Sequence, residues 1–205
     1  MTTSLLNRRT MLLGATSTLG GCSAVSALNS AAEPVNTYDL TAVSGSLDGR
    51  RTSRTLLVVR PDASAVIATD RIMVKPDAQS VTYLPDARWS DELPALFQSL
   101  LIRSISGTGR IGYVGRSESG PVPDTVLLVR LDAFNIEVMS DTAFDAVIDI
   151  ALTALNDRDQ TVRTTRSFAR RMRAPDNQPV VIVATFQELL DDLLPDMSNW
   201  AVQNA

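Results

Sequence analysis

Apolar and polar positions change period several times along the chain, and each change marks an element. "SDELPALFQSLLIRSISGTG" carries Leu93, Leu96, Phe97, Leu100, Leu101 and Ile105 at three- and four-residue spacing. That is one apolar helical face. Ser90 is the expected N-cap, Asp91 and Glu92 suit the positive end of the dipole, and Pro94 falls in the first turn. Gly107 is the expected stop. A second helix is read in "VVIVATFQELLDDLLPDMSNWAVQ", where Val183, Phe186, Leu190, Leu193, Met197 and Trp200 form the stripe. Glu188, Asp191 and Asp192 lie opposite. Pro195 is expected to kink this helix or end it early.

Elsewhere the period is two. "TYDL" opens the folded part near Thr37, and a buried strand is expected at Thr55–Val59, before Pro61. Arg71–Lys75 and Ser80–Leu84 read as two short strands around the turn Pro76-Asp77-Ala78. "RIGYVGR" is a further strand, and "SESGPVPD" a loop. Three long segments follow. Thr125–Val138 is the first. In the second, Phe144, Ala146, Ile148, Ile150, Leu152 and Ala154 alternate with Asp145, Val147, Asp149, Ala151 and Thr153. After the turn Asn156–Asp159 comes "QTVRTTRSFARRMRA", which completes an antiparallel meander. The fold class is α+β, a largely antiparallel sheet with two main amphipathic helices packed on one face. A single domain is expected over residues 37–205.

Composition narrows the chemistry. With 205 residues, 44% hydrophobic, the chain can bury one ordinary core. Net charge is -4, so nucleic acid, which needs a basic face, is not an expected partner. There is no histidine, which removes Ser-His-Asp and Cys-His arrangements and histidine metal sites. One cysteine permits neither an intramolecular disulfide nor a CxxC site. Lys75 is the only lysine, and no serine stands three residues before it. No catalytic or metal residue is therefore assigned.

Gly107-Thr108-Gly109-Arg110-Ile111-Gly112 spells G-x-G-x-x-G, but the dinucleotide fingerprint needs a strand before it and a helix after it. Here a helix precedes and a strand follows, so it reads as a C-cap and a turn. Asp145 and Asp149 share a strand face about 13 Å apart, too far to chelate one ion.

The lone cysteine lies at the N-terminus, in "NRRTMLLGATSTLGGCSAV". Arg8 and Arg9 form a basic n-region before a short, weakly apolar stretch. Leu19-Gly20-Gly21-Cys22 resembles the bacterial lipobox. Cys22 would then carry diacylglycerol on its thiol and an N-acyl chain after cleavage, with no other cofactor. Two or three acyl chains make a stable anchor, at about 0.8 kcal/mol per buried methylene. Arg8 and Arg9, followed by Met11, Leu12 and Leu13, resemble a twin-arginine export signal, a general secretory signal being the alternative. Residues 1–21 are thus read as an export signal and 22–36, rich in Ser, Ala and Asn, as a flexible tether. Cleavage would leave 17 basic against 23 acidic residues, a charge of -6. Ser23, in place of Asp, suits sorting to the outer membrane.

Two features could serve a partner. Arg163, Arg166, Arg170, Arg171 and Arg173 form a basic run in an acidic protein. They read either as a contact for anionic lipid or an acidic partner, with Arg166, Arg170 and Arg171 as its centre, or as cross-strand pairs for the Asp row before them. Trp89 and Trp200 read as core anchors, with Trp89 the alternative partner contact.

The order of these segments, with "TYDL", "RIMVKPDAQSVTYLPDARWSDELPALFQSLLIRSISGTGRIGYVG", "LLVRLDAFNIEV", "TRSFARRM" and a closing helix ending in Trp, is similar to that of the ABC-type transport auxiliary lipoproteins, which include the paraquat-inducible protein C group. The resemblance spans roughly Cys22 to Trp200. It implies a non-catalytic, periplasm-facing lipoprotein on the outer membrane, partnered by an Mce-domain protein and ABC transporter subunits that move lipids or other hydrophobic molecules. It leaves room for a homo-oligomer, which the residue pattern does not specify. The alternatives are a lipoprotein activator or assembly factor for cell-wall or outer-membrane machinery, and a hydrolase that uses Ser and Asp without His.

Overall fold

A long central strand organises the sheet. In the computed structural model, which describes residues 35–205, Thr125–Ser140 forms one continuous strand, β7. Before it come β1 (Asn36–Tyr38), β2 (Thr52–Val58), β3 (Asp62–Ala63), β4 (Arg71–Lys75), β5 (Thr82–Trp89), the helix α1 (Leu93–Gly107) and β6 (Ile111–Arg116). After it come β8 (Ala143–Asn156), β9 (Thr161–Ala174) and the helix α2 (Pro179–Asn204). Residues Val35–Ala205 make one compact unit. The stretches read as export signal (1–21), lipobox (19–22) and all but the last two residues of the tether (22–36) lie outside the described residues.

The meander holds: β7, β8 and β9 pair antiparallel along almost their full lengths. β4 and β5 form another antiparallel pair. The other edge of β7 carries β2, β3 and β4 end to end, all parallel to it, at Thr125–Leu127, Arg130–Leu131 and Asn135–Glu137 respectively. Parallel pairs also attach β6 to β2 and β1 to β5. Periodicity marks strands but does not reveal this parallel wing.

The buried face of β7 changes parity midway. Leu127, Val129 and Leu131 point into the core, and then Phe134 and Ile136 do. A register shift between Leu131 and Ala133 makes the switch, since one extra residue in a strand turns its successors over. On β8, Ala146, Ile148, Ile150, Leu152 and Ala154 are buried, as the alternation predicts.

Both helices cover the apolar sheet face. Leu93, Leu96, Phe97, Leu100, Leu101 and Ile105 of α1 are buried, and so are all six residues of the predicted α2 stripe. Two end signals differ from expectation. Ser90 does not cap α1; its Oγ donates to Asp39 Oδ1 at 2.9 Å, and Glu92 occupies the N-cap position without a side-chain hydrogen bond. Pro195 does not end α2, which runs on to Asn204. A mid-helix proline costs about 3 kcal/mol. Met197, Trp200, Ala201 and Val202, all buried beyond it, offset that cost.

The glycine triad behaves as a cap and turn. α1 stops at Gly107, Thr108 and Gly109 donate to the carbonyls of Ile105 and Ser106, and Gly109 takes φ +63°. Gly112 lies in β6, where a Cβ would stand 2.8 Å from the backbone of Ser53. Its role is close approach of two strands, not phosphate binding.

Candidate functional site

Of the residues read as partner contacts, Trp89 is in the core. It is 2% exposed and sits edge-on to Phe134 and Phe186, so it offers no surface to a partner. Trp200 is likewise buried, edge-on to Phe168.

The arginines of β9 divide between the two faces of the strand. On the face away from the helices, Arg171 bonds Glu137 at 2.6 Å and Asp145 at 3.4 Å, and Arg173 bonds the same Asp145. Glu137 holds the Arg171 guanidinium above its ordinary pKa. On the helix-side face, Arg170 reaches Asp196 of α2 at 3.8 Å, and Arg166 lies 4.8 Å over the Phe168 ring. Cross-strand pairing thus accounts for Arg171 and Arg173. It does not involve a row of aspartates, because Asp149 stands opposite Ala169. Glu137 and Asp196 are partners from other elements that linear spacing does not reveal. Arg166 and Arg163 form no side-chain ion pair among the described residues.

Two cavities lie near opposite ends of β7. The first, about 550 Å³, has an apolar floor that includes Val74, Leu84, Ile136, Phe144 and Ile182. It borders a bulge in β5: between the pairs Met73–Tyr83 and Arg71–Arg88, the single residue Ile72 of β4 is matched by four of β5, Leu84–Ala87. Asp86, at its rim, takes φ +54°, a left-handed conformation unusual for a non-glycine residue. The strand was expected to stop at Leu84, before Pro85; it continues to Trp89 because the bulge absorbs a proline that cannot donate to the ladder. "LPDA" within an alternating segment is the available signal for this bulge.

The second cavity, about 500 Å³, lies between the start of β2, the loop before β7 and the β8–β9 turn. Arg54, Arg158 and Arg163 line it, together with Asp124 and Asp157. Asp124 Oδ2 accepts from the Thr55 amide at 2.8 Å, and Asp157 Oδ1 accepts from Gln160 Nε2 at 3.2 Å. The turn is held further by Asp159, whose Oδ1 accepts from Thr161 Oγ1 at 2.7 Å and so keeps that carboxyl below its ordinary pKa.

Both sites are clefts lined by a mixture of polar and apolar side chains. Neither presents a nucleophile beside a general base, the arrangement that covalent catalysis requires.

Comparison with known proteins agrees with this fold. Protein XCC0632 from Xanthomonas campestris superposes with a TM-score of 0.75 at 21% identity, covering 82% of this chain and 96% of that one. A second structure, of an uncharacterized protein, gives a TM-score of 0.63 at 16% identity, covering 84% of this chain and all of its own. At such identities the likeness establishes the fold alone. No curated protein matches the chain. The model of the ABC-type transport auxiliary lipoprotein component matches residues 38–198, from β1 into the last turns of α2. With most of its folded part inside that match, the chain belongs to the ABC-type transport auxiliary lipoprotein family.

Proposed function

We propose that this lipoprotein is a non-catalytic accessory component of an Mce/ABC-type envelope lipid transport system, docking the Mce-domain partner at a membrane. Residues 1–21 direct export, with Arg8 and Arg9 as a twin-arginine signal. Leu19, Gly20 and Gly21 present Cys22 for acylation by diacylglycerol and an N-acyl chain. Residues 22–36 tether the folded unit, which faces the periplasm from the outer membrane. The partners are an Mce-domain protein and ABC transporter subunits.

The observation that carries this reading is the family match over residues 38–198, following a lipobox-like stretch. Chemistry supports it: a chain without histidine lacks the usual base near neutral pH. Fractionation tests the anchor: Cys22→Ala moves the protein out of the membrane fraction, and retention there refutes acylation. Crosslinking in living cells, detergent extraction and mass spectrometry test the docking. Recovery of an Mce-domain protein, with or without ABC subunits, is expected. Recovery of cell-wall synthases or outer-membrane assembly proteins instead overturns the transport reading.

A further inference from the structure

The folded unit has two distinguishable ends. β1 runs antiparallel to β7, because it is parallel to β5, β5 is antiparallel to β4, and β4 is parallel to β7. The described chain therefore enters at Val35 and Asn36, near the end where β7 finishes. The cavity lined by Arg54, Arg158 and Arg163 is at the end where β7 starts, since Thr125 pairs with Asn156, and Asn156 with Thr161. About ten residues of β7 separate the two levels, about 33 Å of strand rise.

Three further observations bear on this distal end. Ten of the sixteen described arginines form no side-chain ion pair among the described residues, and three of those ten, Arg54, Arg158 and Arg163, share this one cavity. Arg54 donates one N–H to the Ala205 oxygen, and no side chain among the described residues bonds the rest of its fork. The cavity's own carboxylates, Asp124 and Asp157, are engaged in the turns that shape it. Two of the most solvated large apolar side chains stand here as well: Val122, on the cavity wall and 86% exposed, and Val162, adjacent to Arg163 and 60% exposed.

We propose that this distal surface, with Arg54, Arg158 and Arg163 as its charged centre and Val122 and Val162 as apolar flanks, docks an acidic, partly apolar segment of a protein partner. Guanidinium forks match carboxylates bidentately, and arginine is enriched where interfaces lose their water. Solvated valines gain from burial against apolar side chains, which neither a phosphate ion nor a layer of charged headgroups supplies. The inference rests on the docking reading above and names the face that does the docking. The partner then approaches from the side away from the point where the chain enters the fold.

The test uses the full chain purified in a neutral detergent, with a fluorescein-labelled peptide of alternating Glu and Val as the probe. Fluorescence anisotropy is expected to show binding that weakens with salt. Arg54→Gln/Arg158→Gln/Arg163→Gln weakens it at least tenfold, and Val122→Ser/Val162→Ser several-fold. Arg60→Gln/Arg88→Gln/Arg103→Gln removes the same charge elsewhere and leaves it within twofold. No binding by the wild type, or equal losses in both triple variants, overturns the proposal. So does arginine-dependent sedimentation with phosphatidylglycerol vesicles, or full displacement of the peptide by inorganic phosphate at equal charge. Circular dichroism melts verify that each variant is folded, and the valine pair, which leaves charge intact, keeps the test decisive if the arginine variant is not. Co-purification from cells separates this inference from the docking reading. If the wild type recovers the transport partner and the distal variant recovers it equally, only the choice of face fails. If the wild type recovers no such partner, the docking reading fails.

Discussion

Phe134 of β7 and Phe186 of α2 stack face to face, with ring centroids 4.7 Å apart and planes within 10°. Trp89 closes the group edge-on, 5.8 Å from one and 5.7 Å from the other. The central strand, the closing helix and the end of β5 therefore meet in one aromatic cluster, and all three residues are at most 2% exposed. Truncating Phe134 or Phe186 to Ala is expected to cost about 3–5 kcal/mol, through lost transfer energy and the cavity left behind. Urea unfolding checks this: the midpoint falls by that free energy divided by the slope, and the slope itself is unchanged. A loss under about 1 kcal/mol would show that the cluster does not hold α2 on the sheet.

The two glycines that follow α1 separate strain from close approach. Gly109 has φ +63° and open space where a Cβ would stand, so Gly109→Ala meets only the left-handed backbone penalty, about 1 kcal/mol. Gly109→Asn costs less, because Asn tolerates that conformation. At Gly112 a Cβ would meet the Ser53 carbonyl carbon and oxygen at 2.8 Å, and neither β2 nor β6 can yield without breaking pairing. Gly112→Ala is expected to cost about 2 kcal/mol or more. Amide hydrogen exchange distinguishes them: protection in β6 drops for Gly112→Ala and stays for Gly109→Ala.

These glycines also show what the linear pattern can carry. The helix-then-strand order around them reads as a cap and a turn, which is what they form, and both amphipathic stripes appear as buried faces. Those features depend on neighbours within one element. The parallel run of β2, β3 and β4 along β7 does not, because a parallel ladder is set by distant chain and leaves no local period. The bulges at Asp132 and Asp86 escape for the opposite reason. The first adds one residue and the second three inside an otherwise regular alternation. Ser90 has the chemistry of a cap, yet Asp39, 51 positions away, takes its hydroxyl. The arginine cavity is assembled from Arg54, Arg158 and Arg163, and only the last belongs to the basic run visible in the sequence.

Acid should weaken the fold in a definite window. Asp77 accepts from the Gln79 amide first, and also from the Ser80 side chain and amide, which lowers its pKa; Asp159 is lowered first by the Thr161 hydroxyl. Asp132 is lowered by the guanidinium of Arg130, which it grips at 2.7 and 2.9 Å. A carboxyl whose folded pKa lies below its unfolded value of about 3.9 stabilises the fold above that pH and loses the contribution as pH falls through the folded value. The melting temperature is expected to change little from these groups between pH 6 and 5 and to decline below about pH 4. The decline is shallower in Asp77→Asn/Asp159→Asn, whose replaced groups no longer titrate. An identical slope in wild type and variant would exclude these turns as the source.

Asp145 makes the arginines of β9 a structural matter on one face. It is 7% exposed, accepts from both Arg171 and Arg173, and lies directly opposite Arg173 in the ladder. The two arginines are about half exposed and remain hydrated when the carboxylate is removed. The cost of breaking the cluster should therefore be asymmetric. Asp145→Ala is expected to cost about 1 kcal/mol or less, because it removes the desolvated charge and leaves two arginines that water can serve. Arg171→Ala/Arg173→Ala is expected to cost about 2 kcal/mol, because a nearly buried carboxylate loses both donors. The triple variant should recover most of that loss. Urea midpoints of the wild type and the three variants give the answer as a thermodynamic cycle. Equal costs on both sides would mean that Asp145 is hydrated in solution and that its pairs with Arg171 and Arg173 add little to the fold.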